Sequence, residues 1–179
     1  MAESLVYLFL LILILLVFGT AAYAGILAAP WVPVWKKDIE RILKLANVHD
    51  DDLVYDLGSG DGRVVCAVAN NSQARVVGYE ISVIPYVWSK IKVFLSRCSK
   101  RVEIRYGDFL KKDLNQANII FCFLTPKAME KLSPKFKKEL KPGTKIISYA
   151  FSLPGWQSLK VDKPDKKSNP IFYYEMSRG

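Results

Sequence analysis

The residues best placed to do chemistry are three alternating glycines and the acids around them, Asp56-x-Gly58-x-Gly60-x-Gly62, with Ser59 and Asp61 inside the loop. Glycine allows close backbone approach and positive φ. A helix that starts directly after such a loop offers unpaired N–H groups and a partial positive charge. The spacing is not that of a dinucleotide fingerprint, because the third glycine comes one residue early. Carboxylates at Asp56 and Asp61 would repel a pyrophosphate. They suit a cationic small molecule, and S-adenosyl-L-methionine, with its ammonium and sulfonium, is such a ligand.

The elements that must position this loop follow from apolar patterning. Leu53–Leu57 reads as a buried strand and Val64–Ala69 as a packed helix on either side of it. Arg75–Glu80 is a second strand, and a carboxylate at its end, Glu80, can accept both ribose hydroxyls of an adenosine. The stretch from Ile84 to Ser96 is expected to be a helix with Val87, Ile91, Phe94 and Leu95 inward and Lys90, Lys92 and Arg97 outward. Val102–Tyr106 alternates as a third strand and runs into Gly107-Asp108-Phe109. Asn118–Phe123 is continuously apolar, as in a strand buried on both faces. Leu124-Thr125-Pro126 leaves its C-terminal end, the edge where ligands sit in open α/β sheets. Lys127–Glu139 is a basic helix with Met129, Leu132 and Phe136 as its stripe, and Lys145–Phe151 is the fifth strand. Ser158–Val161 and Ile171–Met176 form a closing antiparallel hairpin around a charged, solvated loop, Asp162–Asn169. The expected fold is α/β: a Rossmann-like seven-stranded sheet flanked by helices, with a late antiparallel pair.

Length and charge bound the rest. The 179 residues allow one domain and a short appendage. Leu5–Ala29 is uncharged and apolar, about 37 Å long as a helix, enough to cross a hydrocarbon core of about 30 Å. The Ala22-Tyr23-Ala24 run is compatible with a signal-peptide cleavage site, but no Lys or Arg precedes the apolar stretch. We therefore expect residues 1–35 to be a single-pass anchor with an interfacial segment, and residues 36–179 the catalytic domain. Lys36, Lys37 and Arg41 then keep the domain on the cytoplasmic side, or on the matrix side of a mitochondrial inner membrane. Trp31 and Trp35 fit an aromatic belt, or, with Val32-Pro33-Val34, a flap over the ligand. Lys37–Ala46 reads as an amphipathic helix. The net charge of +9 points to an acidic partner, an anionic membrane surface or nucleic acid. A single histidine, His49, and three cysteines without a C-x-x-C pair speak against a His-containing triad or a zinc site, and no metal is expected.

The Asp56-x-Gly58-x-Gly60-x-Gly62 loop resembles the first motif of class I methyltransferases. Together with Pro33, Gly78-Tyr79-Glu80, Phe123-Leu124-Thr125, Leu140-Lys141-Pro142-Gly143 and Phe151-x-x-x-Gly155-Trp156, it resembles one family from about residue 30 to 179. That family holds the lysine methyltransferases of the mitochondrial ATP synthase c-subunit and of the adenine nucleotide translocase, with a broad-specificity archaeal enzyme. The resemblance implies a lysine-bearing protein substrate, with membrane proteins among the candidates. It implies S-adenosyl-L-methionine held by Asp56, Gly58, Ser59, Gly60, Gly62 and Glu80, with Asp108 on the adenine amino group and Phe109 on the ring. The acceptor amine would pass between Leu124-Thr125 and Tyr149–Phe151, near Trp156, so Thr125, Tyr149, Phe151 and Trp156 are the acceptor-site candidates. Two positions depart from the family pattern: Val34-Trp35 stands where archaeal members have Thr-Pro, and Tyr149 where some have His. Methylation of planar amines, of cytosine C5 and of catechols each needs residues after the fourth strand that Phe123-Leu124-Thr125-Pro126 does not supply. The basic charge leaves RNA as a less favoured acceptor. A catalytically dead, membrane-tethered cofactor-binding protein is the remaining alternative.

Overall fold

The structure is a computed structural model that describes residues 2–27, 32–96 and 99–177. Trp31, Arg97 and Cys98 lie outside them. The chain runs α1 (Ala2–Leu27), α2 (Lys36–Ala46), β1 (Leu53–Leu57), α3 (Arg63–Asn71), β2 (Arg75–Glu80), α4 (Val83–Phe94), β3 (Val102–Tyr106), β4 (Ile119–Cys122), α5 (Pro126–Glu139), β5 (Lys145–Tyr149), β6 (Lys160–Asp162) and β7 (Ile171–Glu175). A single 3-10 turn, Phe109–Lys111, interrupts the path from β3 to β4.

The seven strands form one sheet in the order β3-β2-β1-β4-β5-β7-β6. All pairs from β3 to β5 are parallel, and β7 runs antiparallel to both β5 and β6. This is the seven-stranded arrangement expected from the alternation of apolar runs. Alternate residues of β4 explain why its sequence shows no polar–apolar alternation. Ile120 and Cys122 join the core under α5, with Met129, Leu132 and Phe136. Ile119 and Phe121 join the opposite core, under α2 and α3, with Ile42, Val65 and Val68. Both faces are covered, so every position must be apolar.

Two expectations about local packing need correction. The first concerns α4. Val87, Ile91, Phe94 and Leu95 do not point inward: Phe94 and Leu95 are 80% and 76% exposed, and the buried side chains are Pro85, Ser89 and Val93. Lys92 is not a free outward charge either, because its Nζ lies 2.8 Å from Asp61 Oδ2. The reason is close packing at Gly62. A Cβ there would lie 3.1 Å from Ser89 Cβ, so the small-residue side of α4 faces the glycine loop. The second concerns the loop between β6 and β7, whose ends are structural rather than solvated. Arg41 of α2 donates through Nε to Asp162 Oδ2 (2.8 Å) and through Nη2 to the carbonyls of Asp162 (2.8 Å) and Asn169 (3.2 Å).

Arg41 also pairs with Asp38, at 2.8 Å. Asp38 in turn accepts from the hydroxyl of the fully buried Tyr149 at 2.6 Å, and Asn169 Nδ2 donates to that same hydroxyl at 2.9 Å. Burial pushes the Asp38 carboxyl up, but the bonds from Tyr149 and Arg41 outweigh it and hold the group below its ordinary value. Tyr149 therefore ties α2, the end of β5 and the approach to β7 into one network. A Tyr149→Phe variant should lose about 2 kcal/mol, the usual worth of a hydrogen bond to a charged group. The loss should appear as a lower urea midpoint at unchanged m. An unchanged midpoint would mean that the network carries no stability.

Candidate active site

The parallel strands reverse their winding between β1 and β4, where the chain leaves β3, crosses the sheet and returns on the other side of β1. Ligands of open α/β sheets sit in the crevice at such a point. Here the crevice is lined by Asp56, Gly58, Ser59, Gly60, Asp61 and Glu80, with Phe109, Phe121, Phe123 and Leu124 as its apolar side. The segment ahead of α2 closes it: Val32, Pro33 and Val34 line the same crevice, as does Ala24 of α1. Arg63 fixes this segment, donating from Nη1 to the Val34 carbonyl at 2.7 Å. Of the two roles expected around Trp31–Trp35, the flap is the one these contacts fit, though Trp35 itself is largely exposed.

The loop takes its shape from its glycines. Gly58, Gly60 and Gly62 all have positive φ, at 78°, 53° and 73°. Gly78 matters for a different reason. It pairs in register with Asp56 across β1 and β2, and a Cβ there would lie 2.7 Å from Ser59 Oγ and 3.0 Å from Ile104. The glycine loop can fold back over β2 only because that side chain is missing.

The acids divide into three roles. Glu80 accepts from three backbone N–H groups: Gly60 at 2.8 Å on Oε2, and Ile81 and Ser82 at 2.9 and 2.7 Å on Oε1. A carboxylate has about four acceptor sites, so Glu80 clamps the loop as well as facing the crevice. Asp61 accepts from Arg63 Nε at 2.9 Å and from Lys92 at 2.8 Å. Burial raises it, yet those two cations bring it below its ordinary value. Its charge is spent inside the protein. Asp56 is different. It is 4% exposed, and burial, reinforced by the Glu80 and Asp61 carboxylates, pushes its carboxyl up to about 8. Beside it, Ser59 Oγ is buried without a hydrogen-bond partner among the described residues. A buried hydroxyl left unpaired is costly, so a ligand with polar groups fits this floor. A cation would additionally relieve the crowding of three carboxylates.

The other expected residues are distributed unevenly. Phe109 is buried against the crevice, but Asp108 caps the following turn, accepting from Leu110 N at 2.9 Å, and is not among the lining residues. Thr125 caps α5, accepting from Ala128 N at 3.4 Å. Tyr149 stands behind Phe123, ring centroids 4.8 Å apart and edge to face. Trp156 donates from Nε1 to Ser133 Oγ at 2.8 Å and packs on Tyr174. Phe151 is partly exposed beyond the end of β5. Thr125, Tyr149, Phe151 and Trp156 all stand outside the crevice lining, whereas Leu124, expected on the acceptor path, forms its wall together with Phe123, read from sequence only as the end of the fourth strand. Nothing in a continuous apolar run marks which of its members ends at a ligand.

Fold and cradle together define a class I S-adenosyl-L-methionine-dependent methyltransferase. The chain belongs to the ANTKMT methyltransferase domain family, whose profile matches residues 56–160. It is 37% identical over 140 residues to the protein-lysine N-methyltransferase of Saccharolobus islandicus (strain REY15A), covering 75% of this chain and 84% of that one. It is 30% identical over 135 residues to the adenine nucleotide translocase lysine N-methyltransferase of Mus musculus, covering 75% of this chain and 58% of that protein. It is also 30% identical over 127 residues to the human lysine N-methyltransferase of the ATP synthase c-subunit, covering 71% and 54%. It thus spans little more than half the length of the two mammalian relatives. Among solved structures it resembles an RNA methyltransferase from Salinibacter ruber in complex with S-adenosyl-L-homocysteine, with a TM-score of 0.79, 31% identity, and coverage of 83% of this chain and 95% of that one.

The raised Asp56 carboxyl makes stability depend on pH. In the unfolded chain the group titrates at its ordinary 3.8, and in the folded, ligand-free protein at about 8. Between these values the folded state holds a proton that the unfolded state does not. This contribution is therefore complete below about pH 4 and is lost as pH rises through about 8. Its slope approaches about 1.4 kcal/mol per pH unit. Urea titrations from pH 5 to 8 should show this decline in the wild type and a flatter profile in Asp56→Asn. Parallel profiles would mean that Asp56 titrates normally. Separately, Gly78→Ala should push Ser59 aside and weaken S-adenosyl-L-homocysteine binding by about tenfold or more, about 1.4 kcal/mol, read by calorimetry.

Proposed function

We propose that the protein is a membrane-anchored lysine methyltransferase, with residues 1–35 as anchor and interfacial segment and residues 36–179 as the catalytic domain. The observation that carries the reading is Ala24. It belongs to α1, whose stretch Glu3–Gly25 is long and apolar enough to cross a bilayer, and it lines the same crevice as Gly58 and Ser82. A site at the foot of such a helix suits an acceptor held close to the membrane surface. The lysine acceptor is supported by the kinship with three lysine N-methyltransferases, two of them named for the adenine nucleotide translocase and the ATP synthase c-subunit. Lys36, Lys37 and Arg41, which follow the apolar stretch directly, support a cytoplasmic or matrix-side domain.

S-adenosyl-L-methionine supplies an electrophilic methyl group when bound. Asp56, Ser59 and the Gly58–Gly60 backbone are the groups suited to hold it. A lysine amine must be neutral to react, and its ordinary pKa is about 10.4. The wall formed by Phe123, Leu124 and Val34 offers a dry approach that disfavours the ammonium form. Tyr149 contributes by setting the Phe123 ring, and Phe151, exposed beyond the end of β5, extends the apolar approach, whereas Trp156 is held over α5 by Ser133. Asp61 and Glu80 are occupied by internal partners, so deprotonation falls to desolvation and solvent rather than to either of them.

RNA is a second reading. It is favoured by the resemblance to the Salinibacter ruber structure and by the exposed Lys127, Lys131, Lys137 and Lys138 of α5. The full chain and its Asp56→Ala variant, each incubated with methyl-tritiated cofactor and a membrane fraction, separate the two. Label on protein lysines with wild type only is the expected outcome. Nuclease-sensitive label would replace the lysine acceptor by RNA, and cofactor binding without any transfer would sink the enzyme reading. Retention of the full chain in the membrane pellet after carbonate washing is expected for an anchored protein; release would overturn the anchor.

A further inference from the structure

The side of α4 that faces away from the protein is a continuous apolar stripe. Ile84, Val87, Trp88, Ile91, Phe94 and Leu95 are all exposed and fall at helical spacing along one face. No acidic residue occurs between Ile81 and Lys100, whereas Lys90, Lys92, Arg97 and Lys100 do. Lys92 is turned to Asp61, and Lys90 is exposed on α4, within electrostatic reach of Glu103 on β3. An amphipathic helix with Trp and Phe on one side and lysines at its margins suits a lipid interface with anionic headgroups.

The stripe is joined to α1. The N-cap of α4, Ser82, makes no side-chain cap bond, and the Val83 N–H instead donates to Thr20 Oγ1 of α1 at 3.3 Å. Along α1 only Val17, Thr20 and Ala24 lose exposure among the residues whose side chains are described. These fall on one face of its last turns, so the rest of α1 is left to its surroundings. Thr20 lies five residues before Gly25, the end of the apolar stretch, or about 7.5 Å along the helix axis. That is the depth, about 5–10 Å, at which an interfacial helix buries its apolar face.

We propose that α4 is a second membrane contact: its outer stripe lies in the interface of the bilayer that α1 crosses, seating the domain with its cofactor crevice at the lipid surface. This rests on the anchored reading of α1 given above. The occupant is phospholipid with anionic headgroups, because the stripe adjoins α1 and the α4 segment carries lysines and no acid. The protein side of α4 is already fixed, by Ser89 against Gly62 and by Lys92 on Asp61. The helix therefore need not rearrange to present the stripe.

The test uses the full chain reconstituted in equimolar phosphatidylcholine and phosphatidylglycerol vesicles, with and without brominated acyl chains. Trp88→Phe, a conservative change at an exposed position, isolates the Trp88 emission as the difference from wild type. The expected result is that bromolipid quenches the Trp88 component at least about twofold, as an interfacial depth requires, and that aqueous iodide reaches it less in vesicles than in detergent. If both proteins float with the vesicles and the Trp88 component is untouched by bromine, the stripe does not meet lipid. The proposal then fails while the anchor stands. If neither floats, the anchor reading fails and takes this proposal with it.

Discussion

The Glu80 carboxylate, holding three backbone N–H groups at the end of β2, is the contact on which the site depends. It bonds Gly60 across the strand junction and Ile81 and Ser82 ahead of α4. One side chain thus sets the glycine loop, the exit of β2 and the entrance of α4. The missing side chain at Gly78 lets the loop come down far enough for this to happen. Because Glu80, Asp61 and Asp56 are brought close together, their charges must be managed. Asp61 has its two cations and Glu80 its three amides, while Asp56 keeps its proton up to about pH 8. A cation bound beside Asp56 would favour its ionised form and pair with it.

A second constraint couples the site to the N-terminal helix. Ala24 touches the crevice, Thr20 completes the first turn of α4, and the Val34 carbonyl is held by Arg63 at the start of α3. The glycine loop lies between Arg63 and Lys92, both bound to Asp61. Movement of α1 relative to the domain would therefore be felt at the cofactor floor through short, polar links.

Aromatic residues near the strand ends work in layers. Phe123 faces the crevice, Tyr149 stands behind it, and the Asp38–Arg41–Asp162 chain holds Tyr149 from the other side. Trp156 belongs to a separate cluster with Ser133, Lys137 and Tyr174 over α5. Residues that share one stretch of sequence are thus committed to opposite faces of the sheet.

The sequence by itself determined the order of strands and helices, the glycine loop, the acid at the end of β2 and the class of cofactor, because these rest on local spacing and on two-sided burial that leaves a readable apolar run. Its family motifs carried the same conclusion to the level of the enzyme class. Only the tertiary structure decided what each polar group does once it has neighbours: that Asp61 is neutralised by Lys92 from another helix, that Asp108 caps a turn, and that Tyr149 is a tie rather than part of the crevice wall. It also decided the facing of α4. An apolar stripe at helical spacing reads the same whether it faces the protein core or away from it. The choice was made by Ser89, small enough to sit against Gly62, and no periodicity in the sequence records that contact.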